Sequence, residues 1–168
     1  MKNIEEKIKE FFSSEENIKK LISNEDFMNK ISDGVVDAKT YQSEFKKLGL
    51  DLTDEEAAQT VEITNKLVTT PPEKLKEISL ENVTGGLSRE DKIVITHNAI
   101  WGTVIVEGLA TAIAAIACHV KSKKYEKENK ITKASKYKNK SLLLTGLSTA
   151  SLGIPIFSSI VPLAFITY

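Results

Sequence analysis

Hydrophobic positions in the first part of the chain recur at spacings of three and four residues, which is the pattern of short amphipathic helices. Thr53, followed three residues later by Glu56, is the signature of a capping box, and Pro71 and Pro72 stop the helix that begins there. The pattern predicts three or four short helices around a small apolar core over residues 1–68. The predicted inward positions are Ile4, Ile8, Phe11, Phe12, Ile18, Leu21, Ile22, Phe27, Met28, Ile31, Tyr41 and Phe45.

Two long stretches in the second part of the chain are almost free of charge. Residues 99–120 include one charged side chain, Glu107, and residues 142–167 include none. Since a helix needs roughly 20 apolar residues to cross a bilayer, both stretches predict helices that are compatible with a membrane. The alternative is a hairpin buried in a soluble, all-helical domain. Because a carboxylate is costly in hydrocarbon, Glu107 either lines a pore or an inter-helix contact, or is a protonated, buried or interfacial glutamate.

Charge is distributed unequally along the chain, although 23 basic and 23 acidic side chains cancel overall. The N-terminal part, residues 1–86, carries 12 basic and 18 acidic side chains. The C-terminal part, residues 87–168, carries 11 and 5, and nine of its basic side chains are lysines of a tract at residues 121–140. This difference predicts separate roles for the two parts. We expect the lysine tract to form a polar turn that contacts anionic lipid headgroups rather than nucleic acid, because bilayer-length stretches flank it.

Residue types that carry catalytic or metal chemistry are scarce. The single cysteine, Cys118, and the two histidines, His97 and His119, exclude a disulfide framework and a metal centre built from cysteine or histidine. No phosphate-binding glycine loop and no hydrolase motif occurs in the sequence. We therefore expect no enzymatic activity, no cofactor and no bound metal.

The most informative short stretch is residues 73–86, which ends in two glycines. Leu75, Leu80 and Val83 fall on one side of a helix that leads into Gly85 and Gly86. Because glycine has no Cβ, the backbone there fits a cleft too narrow for any side chain, and an amphipathic helix beside it suits an apolar groove. The stretch predicts a protease recognition element. A helix C-cap followed by a flexible linker is the alternative.

This stretch resembles the double-glycine leader peptides that peptidase-containing ABC transporters remove. Such leaders carry apolar residues at fixed distances before the two glycines, and Leu75, Leu80 and Val83 match those positions. The resemblance implies cleavage between Gly86 and Leu87 by a cysteine protease domain of the exporter. The catalytic residues then belong to that partner and not to this chain.

The helical region before it is similar to the long helical leaders related to nitrogen-fixation proteins. Such leaders precede ribosomally made and often modified peptides, so the resemblance implies that a peptide maturation enzyme docks on this region. The residues that carry it are Phe11, Leu21, Asp26, Phe27, Tyr41, Phe45, Leu48, Gly49, Leu50, Leu52, Thr53, Asp54, Glu55 and Glu56.

These observations predict an all-α protein in which a small helical leader domain, residues 1–86, is followed by a hydrophobic two-helix hairpin, residues 87–168. We interpret the chain as a cytoplasmic precursor that is cleaved after Gly86 during export. Its secreted, cationic product is then a bacteriocin-like peptide that acts on target membrane lipids. The alternative is a small two-helix integral membrane protein of the immunity or regulatory type, with a cytosolic helical domain.

Overall fold

A computed structural model describes residues 4–75 and 97–152 of the chain, with side-chain surroundings from residue 106 to residue 148 in the second range. Within these ranges the protein forms eight α-helices and no strand, which confirms the predicted all-α class. The helices are α1 (Ile4–Ser13), α2 (Glu15–Ser23), α3 (Glu25–Asp33), α4 (Ala38–Lys47), α5 (Asp54–Thr69), α6 (Pro72–Leu75), α7 (His97–Lys127) and α8 (Ile131–Leu152).

Side-chain caps fix the starts of helices in the N-terminal part. The Ser14 hydroxyl accepts a hydrogen bond from the Asn17 amide at 3.2 Å, at the start of α2. At α5 the Thr53 hydroxyl accepts from the Glu56 amide at 3.2 Å, and the Glu56 carboxylate accepts from the Thr53 amide at 2.8 Å. The predicted capping box is therefore confirmed.

The N-terminal part has one helix more than the sequence pattern predicts before residue 68. The pattern runs unbroken through residues 15–31, but α2 ends at Ser23 and α3 begins at Glu25. Asn24 causes the break, because its amide donates to the Leu21 carbonyl and its side chain accepts from the Phe27 amide, both at 3.3 Å. One asparagine thus ends the first helix and caps the second.

The two long helices of the C-terminal part pack against each other in antiparallel fashion. The Ser122 hydroxyl of α7 donates to the Ala134 carbonyl of α8, and the Ser141 hydroxyl of α8 donates to the Ala115 carbonyl of α7, each at 2.9 Å. As the chain advances along α8, its partners therefore move backwards along α7. A turn at residues 128–130 makes this return possible.

The prediction that the whole lysine tract forms a polar turn is wrong. Helix α7 continues to Lys127 and α8 begins at Ile131, so only three residues of the tract lie outside a helix. Lysine is a good helix former, and a long side chain on a helix keeps its ammonium group in water without breaking the backbone pattern. Most of the charge of the tract therefore lies on exposed surface, and Lys121 and Lys140 are its buried exceptions.

The hydrophobic, membrane-compatible character predicted for this hairpin is not confirmed. In the part of the chain that the structure describes, no helix combines the length and the hydropathy that a membrane crossing requires. Helix α8 has lysines throughout its first half, and residues 153–167 of the second uncharged stretch lie outside the described ranges.

Most of the buried side chains form one cluster that includes both parts of the chain, and we call it the shared core. Helix α7 enters it by packing against α1, α2, α3 and α5. The C-terminal part contributes Leu109, Ala112, Ile113, Ile116 and Ala117. The N-terminal part contributes Ile8, Phe11, Phe12, Ile18, Leu21, Phe27, Met28, Ile31, Val36, Tyr41, Phe45, Leu50, Leu52, Ala57 and Val61.

Candidate functional site

The predicted protease recognition element begins at α6, a single helical turn. Pro72 occupies its first position, where the missing amide hydrogen costs no helical hydrogen bond. Leu75, the last residue of the turn, is only 2 % exposed. It lies in a second buried group, here called the α6 cluster, and α6 itself packs on α8. The members of the α6 cluster are Leu67, Val68, Leu75, Ala114, Ala115, Cys118 and Leu144.

Leu75 is buried against the segment that cleavage would release, because α6 packs on α8. The sequence predicts that this side chain faces an exporter peptidase, but in the structure it lies in the α6 cluster with side chains of α5, α7 and α8. The other predicted residues, Leu80 and Val83 for recognition and Gly85, Gly86 and Leu87 for cleavage, lie outside the described residues. Their roles stay predictions.

The apolar stretch of α7 is enclosed by protein rather than exposed. All thirteen residues from 106 to 118 are buried. One face, spaced at three and four residues from Leu109 to Ala117, packs into the shared core. The opposite face, with Ala114, Ala115 and Cys118, packs into the α6 cluster. In this conformation the stretch is a core helix, which is the alternative that the sequence left open beside a membrane helix.

Two buried lysines connect the helices of the C-terminal part to the N-terminal part. The Lys121 ammonium group on α7 forms an ion pair with Asp33 at the end of α3. The Lys140 ammonium group on α8 donates to the carbonyl of Val68 in the last turn of α5. That turn has carbonyl groups without a helical partner and carries the negative end of the helix dipole, so a cation is stabilised there.

The surroundings of the two lysines affect their ionisation in opposite ways. Burial disfavours the charged form of Lys121, but the hydrogen bond to Asp33, the neighbouring Tyr137 and Tyr125 and the charge of Asp33 together outweigh it, and the pKa is raised. Burial dominates at Lys140 and lowers its pKa. Neither contact was predicted from the sequence. The position of the two lysines in the sequence is the signal that could have found them. They are the first and last lysines of the tract and the nearest to the apolar stretches.

Glu107 lies on the buried stretch of α7. Its side chain is 3 % exposed, and the carboxyl oxygen Oε1 has no hydrogen-bond partner. Burial raises the pKa of this carboxyl to about 7. Of the two interpretations left open by the sequence, these facts favour the protonated, buried glutamate.

The tip of the antiparallel pair is strongly cationic and has an aromatic centre. The rings of Tyr125 and Tyr137 lie 5.6 Å apart, and the ammonium groups of Lys130 and Lys133 lie 5.8 and 5.7 Å from the centre of the Tyr125 ring. Such distances are typical of cation–π contacts. We call this the lysine tip, whose exposed lysines are Lys123, Lys124, Lys127, Lys130, Lys133, Lys136 and Lys138.

The described side chains do not assemble a metal-binding group. Over residues 4–75 and 106–148 no three His, Cys, Asp or Glu side chains lie close enough to share a metal ion. Cys118 is fully buried, and burial raises the pKa of its thiol to about 11, so the thiol is protonated at neutral pH. Burial also lowers the pKa of the adjacent His119. The thiol is therefore neither ionised nor accessible to a substrate.

Comparison of the chain with protein-family models, with curated proteins and with solved structures finds no match.

Proposed function

We propose that the protein is the precursor of a secreted, membrane-active peptide of the bacteriocin type. The N-terminal part is its leader, which a peptidase-containing ABC transporter removes by cleavage after Gly86, and the C-terminal part is the product. The observation that supports this most directly is the enclosure of residues 106–118 by helices of the N-terminal part and by α8.

Enclosure of this kind gives the leader a physical purpose. Burial of apolar surface is favourable by about 25 cal/mol per Å². A helix with this composition is therefore more stable when protein or lipid covers it than when it is exposed to water. While the leader covers α7, residues 106–118 of the helix offer no apolar face to a membrane. The lysine tip remains exposed and suits an anionic headgroup region.

The spacing of Leu75, Leu80 and Val83 before the two glycines supports the second element of the proposal, which is removal by the exporter. The test is to incubate the full-length chain with the isolated peptidase domain of a double-glycine exporter and to weigh the products. We expect a mass break after Gly86. Gly85→Ala and Gly86→Ala should block it, and Gly146→Ala, which changes a glycine on exposed helix, should not. An intact wild-type chain after prolonged incubation would refute the precursor assignment.

The activity of the product has its own test. A peptide of residues 87–168 should release dye from vesicles of phosphatidylglycerol and phosphatidylcholine at micromolar concentration, whereas the full-length chain should not. Vesicles that stay sealed would remove the membrane-active half of the proposal and leave cleavage standing.

The same enclosure of α7 also supports a second candidate, an all-helical protein that works uncut. In that case the chain resists the peptidase and remains a soluble monomer without detergent. The mass measurement decides between the two candidates.

A further inference from the structure

We propose that the N-terminal part stays bound to the C-terminal part after the chain is cut, as a non-covalent inhibitor that keeps the product latent. The inference rests on the proposed function for its biological setting, and its contacts do not depend on which protease makes the cut. The interaction surface is the face of α7 from Leu109 to Ala117, and its occupant is the helical segment at residues 4–75.

The contacts that hold the two parts together do not depend on the connecting chain. Every described contact between them joins residues 4–75 with residues of α7 or α8, so a break after Gly86 removes none of them. The shared core draws fifteen side chains from one part and five from the other. An interface that resembles a domain core cut in half is typical of permanent complexes rather than transient ones.

Directional contacts fix the register of the two parts. The Lys121–Asp33 ion pair lies at the end of α3, and the bond from Lys140 to the Val68 carbonyl lies at the end of α5. Between them the Thr64 hydroxyl approaches the Ala110 carbonyl at 3.5 Å. These contacts are spread over α3, α5, α7 and α8, so a leader that slid along α7 would lose all of them together.

Cleavage changes the concentration dependence of the association and not its contacts. In the intact chain the covalent connection gives each part an effective concentration for the other on the order of millimolar. After the cut, the two fragments separate only when they are diluted below their dissociation constant or when another apolar phase competes for α7. A membrane is such a competitor, and the lysine tip lies outside the interface, so anionic lipid can recruit the complex before it opens.

The test uses the full chain with a site-specific protease sequence inserted within residues 76–96 and an affinity tag at the N-terminus. After complete cutting at micromolar concentration, we expect the two fragments to elute together in gel filtration. The complex should leave vesicles of phosphatidylglycerol and phosphatidylcholine sealed for longer than residues 87–168 alone. A tagged leader that elutes by itself directly after cutting in native buffer would overturn the inference.

Charge variants test whether the complex has the described register. Asp33→Lys should raise the dissociation constant of the cut complex by at least about tenfold, since it places like charges together. Asp33→Lys combined with Lys121→Asp should restore much of the affinity. Asp51→Lys is the matched control, because Asp51 pairs with Lys46 inside the N-terminal part. Equal affinities for Asp33→Lys and the control would refute the register.

The two proposals fail in different ways. If the exporter peptidase does not cut the wild-type chain, the proposed function is refuted, while co-elution of the engineered fragments still measures the interface. If the peptidase cuts but the fragments separate at once, the proposed function stands and the latent complex does not exist.

Discussion

Leu75 of α6 and Leu144 of α8 lie in the same buried cluster, at 2 % and 0 % exposure, so the first predicted recognition residue is packed against the segment that cleavage would release. A peptidase groove and the α6 cluster cannot hold the Leu75 side chain at the same time. If the chain is processed as proposed, α6 must first leave α8. The folded precursor is then a poorer substrate than one in which this single turn has opened.

Weakening the α6 cluster should therefore speed up processing. Leu144→Ala leaves a cavity in the α6 cluster, which includes Leu75, with a cost of about 2–5 kcal/mol, and we expect a higher initial rate of cleavage after Gly86 by mass spectrometry. Leu142→Ala is the matched control, because Leu142 is 55 % exposed on the same helix. Leu109→Ala removes a side chain from the shared core and not from the α6 cluster. It therefore distinguishes local opening of α6 from a general loss of stability. Cleavage of Leu144→Ala at the wild-type rate would contradict the requirement that α6 leave α8 before cleavage.

The features that could be predicted from the sequence are those with a local cause. The Thr53 and Glu56 capping box involves residues three apart, and the spacing predicts most of the N-terminal helices, although not the break between α2 and α3 at Asn24. The environment of residues 106–118 could not be predicted, because an uninterrupted apolar run has the same sequence whether lipid or protein covers it. Leu75 was identifiable as part of an apolar face, but Leu144 of the same buried cluster is 69 positions away and no local signal connects them.

Glu107 should make the protein less stable as the pH rises from 4.5 to about 7. Its folded pKa of about 7 lies above the unfolded value of 4.5, so the native state retains a proton that the unfolded state loses. The stability that this proton provides is complete below pH 4.5 and is lost by pH 7, a change on the order of 3 kcal/mol.

Glu107→Gln removes this pH dependence and should raise the free energy of unfolding at pH 7.5. The measurement is urea unfolding from pH 4.5 to 8, compared with wild type and with Glu62→Gln on exposed surface. The difference in the free energy of unfolding between Glu107→Gln and wild type isolates the contribution of Glu107. It cancels that of His119, whose lowered pKa makes the protein more stable as the pH rises. Parallel curves for Glu107→Gln and wild type would mean that the carboxyl is ionised in the folded protein.

Two glycines should respond to alanine with opposite signs. Gly34 ends α3 at a φ of +70°, and a Cβ there would lie 2.7 Å from Cγ2 of Thr69, so Gly34→Ala should cost at least about 1–2 kcal/mol. A Cβ on Gly146, inside α8, meets no atom within 4 Å, and Gly146→Ala should add about 0.5–1 kcal/mol through helix propensity. Urea midpoints check both values. Shifts of the same sign would show that one of the two backbone environments differs from the one described.

Lys140 should stabilise the folded protein through its hydrogen bond to the Val68 carbonyl and through its buried aliphatic side chain. Lys140→Ala removes both and leaves a buried acceptor at the end of α5 without its donor, at a cost of about 1–3 kcal/mol. Lys140→Met keeps most of the apolar stem and removes a buried charge whose pKa burial already lowers, so it should cost less. Lys138→Ala, on the exposed side of the same helix, should stay within about 0.5 kcal/mol of wild type in urea unfolding. If Lys140→Ala is as neutral as Lys138→Ala, the ammonium group does not connect α8 to α5.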